Sequence, residues 1–448
     1  MSEEKSQTIG LPKLSNSMIW MINFGFLGVQ TAFTLQSSQM SRIFQTIGAD
    51  PNNLGWFFIL PPLAGLIVQP IIGYYSDRTW APKLGGRRLP YLLLGTIVAV
   101  IVMLLLPNSG SFGFGYGSLA ALWFGAITVA FLDSSSNVAM QPFKMMVGDM
   151  VNDDQKSYAY GVQSFLSNTG AVLAAIFPFL LTWFGVPNKA AKGVVPQSVI
   201  ISFYVGAALL VITSLFTVFR VHEYDPATYA KYHGISEEDN KEGGNWLTLL
   251  RHAPKAFWTV TLVQFFCWFA FQYLWTYSAG AIASNVWHTT NATSAGYQAA
   301  GNWYGVLAAV QSIAAVIWSY VLAKVPNKYH KLGYAGSLFL GAIGFLSIFF
   351  IHDQWTLIIS YSLVGIAWAG MNTYPLTIVT NALSGKHMGT YLGLFNGSIC
   401  LPQIVASLLS FIIFPMLGGS QAHMFLLAGV VMILAALSVN TIHETYVQ

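Results

Sequence analysis

Stretches of about 20 apolar residues recur along the whole chain, and they constrain its fold more than any other feature. Each stretch is long enough to cross about 30 Å of hydrocarbon as a helix. In lipid such segments must be helical, because an open strand edge would leave backbone groups without partners. The predicted spans are residues 17–40, 54–75, 89–107, 116–147, 157–185, 198–220, 256–284, 302–325, 332–351, 355–382, 388–414 and 422–441. The sequence therefore predicts an all-α membrane protein with twelve transmembrane helices.

The small number of charges and their placement support this prediction. Only 8% of the 448 residues are charged, whereas soluble domains carry about 25%. If the N-terminus is cytoplasmic, only Arg42, Lys189 and Lys192 of the 20 Lys and Arg residues fall outside. Because basic residues concentrate on the cytoplasmic side of membrane proteins, both termini are predicted to be cytoplasmic. The polar N-terminus has no cleavable signal pattern, and the compact loops favour a bacterial inner membrane.

A polar segment interrupts the series of short loops after the sixth span. It contains consecutive acidic residues at 237–239 and a pair of glycines at 243–244. We therefore predict an N-terminal six-helix bundle at 1–221, a cytoplasmic linker at 222–254 and a C-terminal six-helix bundle at 255–448. If the two bundles are parallel repeats of one six-helix unit, the substrate is expected at the interface between them.

One acidic residue stands apart from the other fifteen, which lie in loops, at the termini or at helix ends. Asp133 falls near the middle of the fourth span, where an ionised carboxylate costs about 2.5–3.5 kcal/mol. Burial favours the neutral form of a carboxyl group, which suits a group that binds and releases a proton. Asp133 is therefore the predicted proton-binding residue. The alternative is a structural carboxyl group that forms hydrogen bonds with neighbouring helices.

Polar residues extend from Asp133 along one face of the same predicted helix. Asn137 follows by four residues and Lys144 by eleven, and residues at such spacings share a face. Asn137 can bind sugar hydroxyls or another helix. Lys144 lies about 16 Å from Asp133 along the axis, too far for direct pairing. For Lys144 three interpretations stay open: a cytoplasmic interfacial side chain, an ion pair with Asp149, or an inner gate.

Amide and aromatic side chains are the main polar groups of the other spans. Amides can hydrogen-bond to sugar hydroxyls, and aromatic faces can cover the apolar faces of sugar rings. Each residue alone also fits a packing role, but the set as a whole favours a neutral sugar. It argues against amino acids, nucleotides and organic acids, which would require a buried Arg or Lys. The predicted sugar contacts are Gln30, Asn137, Trp268, Gln272, Asn372, Tyr374 and Asn396.

The loop between the second and third spans carries a cluster of charges. Asp77 ends the second span, and Arg87 and Arg88 precede the third. Together with Lys144 and Asp149, these residues are predicted to form a cytoplasmic gate. The alternative is that the basic residues act only as a topology signal.

Several other functions find no support in the sequence. The chain has no phosphate-binding Walker A pattern and no metal-type His or Cys spacing in the spans, so we expect no cofactor, no metal site and no nucleic-acid partner. A membrane enzyme would require paired acids or a nucleophile with its base. A membrane sugar sensor would require a larger cytoplasmic domain than the linker provides. The chain is expected to work as a monomer.

Three motifs resemble one known family. They are residues 28–36 (GVQTAFTLQ), 68–78 (VQPIIGYYSDR) and 86–90 (GRRLP). The fourth span adds Asp133, Asn137, Gln141, Pro142, Lys144 and Asp149. The chain is similar to the plant sucrose transporters and their bacterial and animal relatives, which are glycoside–pentoside–hexuronide cation symporters within the major facilitator superfamily.

The resemblance implies a 6+6 helix fold, alternating access and proton-coupled uptake of α-glucosides such as sucrose or maltose. It also implies that Asp133 matches the family's proton-binding carboxylate. Two departures limit the comparison: Lys144 replaces the usual Arg, which loses a bidentate donor, and residues 275–278 lack the Asp of plant members. The sugar preference is therefore not carried over from the family. The alternative is a sodium-coupled or uncoupled sugar transporter, because amide and backbone oxygens could supply the ligands of a sodium ion.

Overall fold

Within the ranges that the computed structural model describes, residues 11–233, 246–322, 324–382 and 388–442, the chain forms fourteen α-helices and no β-strand. The first six are α1 (Asn16–Thr46), α2 (Leu54–Arg78), α3 (Leu89–Leu105), α4 (Leu119–Met150), α5 (Asp153–Trp183) and α6 (Gln197–Arg220). Two short helices follow, α7 (Pro226–His233) and α8 (Trp246–Arg251). The last six are α9 (Lys255–Val286), α10 (Ala295–Leu322), α11 (His330–Phe350), α12 (Leu357–Ala382), α13 (Met388–Met416) and α14 (His423–Ser438). Single 3-10 turns lie at Pro51–Asn53, Pro82–Leu84, Leu106–Asn108, Asn327–Tyr329 and Val439–Thr441.

Each predicted span coincides with one long helix, which confirms the all-α membrane architecture. Of the described helices, eleven are long and apolar enough to cross a membrane. The remaining long helix, α12, has 26 residues and matches the tenth predicted span. Polar residues such as Asn372 lower its hydropathy. The chain is therefore a multi-pass membrane protein.

Local sequence signals fix several helix ends. The hydroxyl oxygen of Ser15 accepts a hydrogen bond from the backbone of Met18 at the start of α1, and Ser118 caps α4 in the same way. Such caps satisfy backbone N–H groups that have no partner within the helix. At its other end α1 continues to Thr46, six residues beyond the predicted span. As a result Arg42, which we expected in an external loop, lies inside a helix.

The first helix has a central place among α1–α6, where it packs on α4, α5 and α6. Among the last six helices, α9 packs on α10, α12, α13 and α14. The pairs α5–α10 and α2–α13 connect these two groups. Gly305 permits the first of these contacts, because a Cβ atom there would lie 2.2 Å from the carbonyl oxygen of Ala175. Small residues allow such close helix contacts in membranes.

The helix directions define two faces of the molecule. The amino-terminal face contains the first residue of α1, the last turn of α4 and the start of α9. The opposite face contains the end of α1 and the start of α10. A central cavity lies between these faces.

Candidate functional site

The central cavity has a volume of about 470 Å³, within the range of small-molecule sites. It lies between α1, α5, α9, α10 and α12, and it extends to Ser319, one turn before the end of α10 at the amino-terminal face. Its polar lining consists of Gln30, Thr34, Ser37, Ser38, Ser164, Ser167, Asn168, Gln311, Ser312, Ser319 and Asn372, and its aromatic lining of Phe33, Trp275, Tyr304 and Trp368. Among these described residues no side chain carries a formal charge.

Two of the predicted sugar contacts line this cavity. Gln30 accepts a hydrogen bond from Ser167 Oγ (3.2 Å) and donates one to Thr34 Oγ1 (3.3 Å). Asn372 is exposed to the cavity, and its Nδ2 donates to the carbonyl oxygen of Trp368 (2.7 Å). The amide oxygen of Asn372, which accepts no hydrogen bond from the described residues, and the amide of Gln30 are therefore placed to meet a polar ligand.

The predicted contact Trp268 supports the aromatic wall of the cavity from behind. Its ring packs edge-on against Trp368 with centroids 5.6 Å apart, and it also contacts Trp275 at 6.2 Å. Trp275 and Trp368 themselves line the cavity. Such edge-to-face clusters hold rings in fixed orientations, which suits a wall that covers an apolar face of a ligand.

Three other predicted contacts lie away from the cavity lining. Gln272 is buried, and its Nε2 donates to the Phe58 carbonyl oxygen and to Ser407 Oγ, both at 2.8 Å. Tyr374 is buried beside Tyr334, with ring centroids 5.8 Å apart. Asn396 donates to the sulfur of Cys400 at 3.7 Å. In this conformation these side chains contact protein groups that are not part of the cavity.

Asp133 and Asn137 form a separate buried cluster. Asp133 is 2% exposed, and its Oδ2 accepts a hydrogen bond from Asn137 Nδ2 at 2.7 Å. Its Oδ1 accepts one from Gln36 Nε2 at 3.1 Å. The oxygen of Asn137 accepts from Gln69 Nε2 at 2.7 Å. Within the described residues no cation pairs with Asp133, so amide groups alone stabilise the charged form.

A buried cation links several elements at the opposite face. Arg42 is fully buried, although our sequence interpretation included no buried cation. Its Nε donates to Gln298 Oε1, its Nη1 to Asn302 Oδ1 and its Nη2 to Asn188 Oδ1, each at 2.7 Å. Nη1 also donates to Gln39 Oε1 at 3.3 Å. These bonds join α1 to α10 and occupy the guanidinium group, so Arg42 does not contribute a charge to the cavity.

Three of the five predicted gate residues, Arg87, Arg88 and Asp149, meet at the amino-terminal face. The guanidinium groups of Arg87 and Arg88 contact Asp149 Oδ2 at 3.3 and 3.1 Å. Arg87 also stacks on the ring of Tyr229 in α7, at 3.7 Å from its centroid, and the Tyr229 hydroxyl donates to Asp149 Oδ1 at 3.2 Å. Lys144 is exposed on α4. The side chain of Asp77 lies outside the described residues.

Glu223, which our sequence interpretation missed, supports this cluster from the segment after α6. Its Oε1 accepts hydrogen bonds from the backbone N–H groups of Arg88 (2.8 Å) and Leu89 (3.0 Å) at the start of α3. Burial raises the pKa of the Glu223 carboxyl group, although the hydrogen bonds from Arg88 and Leu89 oppose this shift. The segment after α6 is thereby connected to the loop that carries the two arginines.

Sequence reasoning also missed Gln36, Gln69, Arg42 and all six serines of the cavity lining. Gln36 and Gln69 lie inside the two motifs at 28–36 and 68–78, which was the available signal. The serines gave no signal, because a hydroxyl group in a transmembrane helix commonly bonds its own backbone. Ser312 is an example, since its Oγ donates to the carbonyl oxygen of Ala308.

Comparisons with known proteins agree with this architecture. The profile of the Major Facilitator Superfamily matches residues 22–407. The sucrose transport protein SUC4 of Arabidopsis thaliana is 22% identical over 88% of this chain and 84% of its own. The sucrose transport protein SUT5 of Oryza sativa subsp. japonica is 24% identical over 85% of this chain and 79% of its own.

Solved structures with a similar fold include two transporters. The nucleoside transporter NupG superposes with a TM-score of 0.66 at 13% identity, over 96% of this chain and 100% of its own. An inward-facing, unoccupied bacterial homologue of the human lysosomal transporter Spinster gives a TM-score of 0.67 at 14% identity, over 95% of this chain and 97% of its own. At these identities the likeness concerns the fold alone.

Proposed function

The chain belongs to the major facilitator superfamily, and we propose that it is a secondary transporter that carries a disaccharide, sucrose or maltose, into the cell together with a proton. The observation that carries the proposal is the uncharged cavity, lined by amides, hydroxyls and aromatic rings. A sugar offers hydroxyl groups to the amides and apolar ring faces to the indoles. A charged substrate would lose its hydration in this cavity without an opposite charge to replace it.

Alternating access is the proposed mechanism. Residues 1–221 and 255–448 act as two six-helix bundles joined by the linker at 222–254, with both termini in the cytoplasm. The packing of α1–α6 and of α9–α14 into separate groups supports this division. In this proposal the amino-terminal face is cytoplasmic, and the extension of the cavity to Ser319 at that face supports an inward-facing state. A bacterial inner membrane is the proposed location, and a monomer the proposed working unit.

The gates follow from the same orientation. Arg42 and its amide partners close the external side, because they join α1 to α10 there. Arg87, Arg88 and Asp149 lie on the cytoplasmic side and link the loop before α3 to α4. Lys144 and Asp77 are proposed to belong to this cytoplasmic gate as well.

Asp133 is the proposed proton site. A buried carboxylate without a cationic partner is costly in a membrane, and protonation removes that cost. The cluster around Asp133 reaches the cavity through α1, since Gln36 is adjacent to Ser37 in the cavity lining. The sodium-coupled alternative would require the amides around Asp133 to turn their oxygens toward the ion, whereas in this structure both direct N–H groups toward the carboxylate.

Among the predicted sugar contacts, Gln30 and Asn372 have the strongest support, since both line the cavity. Trp268 acts through the indoles of Trp275 and Trp368. Asn137, Gln272, Tyr374 and Asn396 would contact sugar only in another state of the transport cycle, because their present contacts are with protein groups.

Uptake into proteoliposomes tests the proposal. Labelled sucrose, maltose and a nucleoside are offered with and without an inward proton gradient, to wild type and to Asp133→Asn. We expect the gradient to drive accumulation of a disaccharide in wild type and only equilibration in the variant. Sodium-dependent accumulation would favour the alternative coupling ion. Accumulation of the nucleoside alone would refute the sugar assignment, and full accumulation by the variant would refute Asp133 as the proton site.

A further inference from the structure

The two amides that contact Asp133 differ in their freedom to rotate. Asn137 is fixed at both ends: its Nδ2 donates to the carboxylate (2.7 Å) and to the backbone oxygen of Asp133 (2.9 Å), and its Oδ1 accepts from Gln69. Among the described residues Gln36 makes one hydrogen bond, from Nε2 to Oδ1 of Asp133. Its Oε1 is buried and has no hydrogen-bond partner among the described residues. A buried carbonyl oxygen without a donor is costly.

We infer that the side-chain amide of Gln36 rotates by about 180° when Asp133 becomes protonated. Gln36 is then a positioning residue, through which the protonation state of Asp133 affects α1. The inference rests on the proposed proton site at Asp133. It concerns Gln36 because its carbonyl oxygen is unpartnered and lies on the amide group that already contacts the carboxylate.

The chemistry of the two protonation states requires different orientations of the amide. An ionised carboxylate only accepts hydrogen bonds, so it is matched by the N–H group of Gln36. When a proton binds Oδ1, that oxygen carries an O–H donor, which faces the N–H donor unfavourably. Rotation of the amide by about 180° about its last torsion, which is a soft two-fold torsion, brings Oε1 to accept the O–H hydrogen bond. The same rotation of Asn137 would break its bonds to Gln69 and to the backbone.

The groups that surround the Asp133 carboxylate are mostly amides, which do not titrate. Gln36 approaches from α1, Asn137 lies on the same helix as Asp133, and Gln69 reaches Asn137 from α2. From α13 the thiol of Cys400 is the titratable neighbour of Asp133 among the described residues. A response of this site to pH is therefore assigned to Asp133 rather than to a neighbouring group.

The position of Gln36 explains how the proton state can affect the sugar. Gln36 lies between two stretches of α1 that line the cavity: Thr34 precedes it by two residues, and Ser37 and Ser38 follow. Rotation of its amide changes a contact between α1 and α4 beside the cavity. We expect sugar affinity to depend on pH through this contact, with tighter binding when Asp133 is protonated.

Infrared difference spectroscopy between high and low pH is the direct test, because it detects both groups. Wild type should show the carboxylic-acid carbonyl band of Asp133 and, in step with it, a shift of a glutamine carbonyl band to lower frequency, as expected when an unbonded carbonyl gains a donor. Gln36→Met should lose the glutamine shift and keep the acid band. Asp133→Asn should lose both.

Gln264→Met is the matched control. Gln264 is also a buried glutamine whose Oε1 has no hydrogen-bond partner among the described residues, but its Nε2 donates to Tyr334 and Met371 rather than to a carboxylate. The glutamine shift should persist in this variant. Sugar affinity, measured by quenching of the cavity tryptophans, should vary with pH about five-fold less in Gln36→Met than in wild type, the effect of one hydrogen bond.

The outcomes separate the two proposals. An acid band without any glutamine shift, or a shift that persists in Gln36→Met, would overturn the role of Gln36 and leave the proton site intact. Absence of the acid band at every pH would overturn both. A pH dependence of sugar affinity that is unchanged in Gln36→Met would likewise refute the role of Gln36.

Discussion

Replacement of Arg42 by Lys tests whether the buried guanidinium holds the opposite face closed. Arg42 makes three hydrogen bonds of 2.7 Å to amide oxygens of Gln298, Asn302 and Asn188. A lysine ammonium keeps the charge but presents its donors from a single point, so it cannot match acceptors placed around a planar fork. The closed state then loses at least one bond while the cost of burying the charge remains.

The magnitude follows from these contacts. A hydrogen bond to a charged group contributes about 1.5–3 kcal/mol, and about 1.4 kcal/mol corresponds to a tenfold change in an equilibrium constant. We therefore expect Arg42→Lys to lower the ratio between molecules whose opposite face is closed and molecules whose opposite face is open, by about 10- to 150-fold. Arg42→Met removes the buried charge, which favours the closed state, but it also leaves the amide oxygens of Gln298, Asn302 and Asn188 without donors, which opposes it.

Distance measurements between two spin labels at the opposite face would detect the shift. Lys189→Cys and Asn291→Cys place the labels on exposed positions beyond α5 and α9, while both native cysteines are buried and unpaired. The control is Arg220→Lys, the same substitution at an exposed arginine. If Arg42→Lys gives the distance distribution of wild type, or if Arg220→Lys shifts it equally, the proposed role of Arg42 is wrong.

Three further predictions concern other contacts of the structure. Gly301→Ala should also open the opposite face, since the Cβ atom of the alanine would lie 2.5 Å from Cδ of Arg42. The same pair of spin labels measures this opening, and a distance distribution like that of wild type would contradict the prediction. Trp368→Ala should weaken sugar binding about 10- to 100-fold through loss of an aromatic wall, measured by equilibrium binding at fixed pH; unchanged affinity would place the sugar elsewhere. Glu223→Gln should melt at least as high as wild type at pH 8, because the amide keeps the acceptor for α3 without a buried charge. This advantage should disappear as the pH falls. The pKa of Glu223 is raised in the folded protein, so folded wild type binds the proton at a higher pH than the unfolded chain and gains stability as the pH decreases. Glu223→Ala should melt lower at every pH, and an advantage of Glu223→Gln that does not change with pH would refute the argument.

The membrane makes much of this fold predictable from the sequence. Because a hydrocarbon core permits only helices or closed barrels, each apolar run corresponds to a helix. Asp133 stands out as a candidate functional residue because it is the one carboxylate near the middle of a predicted span. Asn137 follows from Asp133 because residues four apart share a helix face. These inferences need only local spacing along one helix.

The contacts between helices could not be predicted in the same way. Gln272 and Asn372 are both amides in mid-span, yet only Asn372 lines the cavity, because the rotation of each helix about its axis is set by its neighbours. Gln36 meets Asp133 only through the packing of α1 on α4. For Arg42 the end of the apolar run suggested a loop, but the helix continues because amide oxygens from α10 and from the loop after α5 accept its donors.

The first helix has consequences for how such a protein can change its substrate. Between Gln30 and Arg42, about 18 Å along the axis, it contains a ligand-facing amide, the partner of Asp133 and the arginine of the closed face, and no proline interrupts it. Under the proposed function, a substitution on this helix that suits a new sugar also risks altering proton coupling and gating. Gln311 on α10 and Asn372 on α12 line the same cavity and have no proposed role in proton coupling or gating. Natural variation in sugar preference, and any engineered change, should accumulate on those two helices while α1 stays constant.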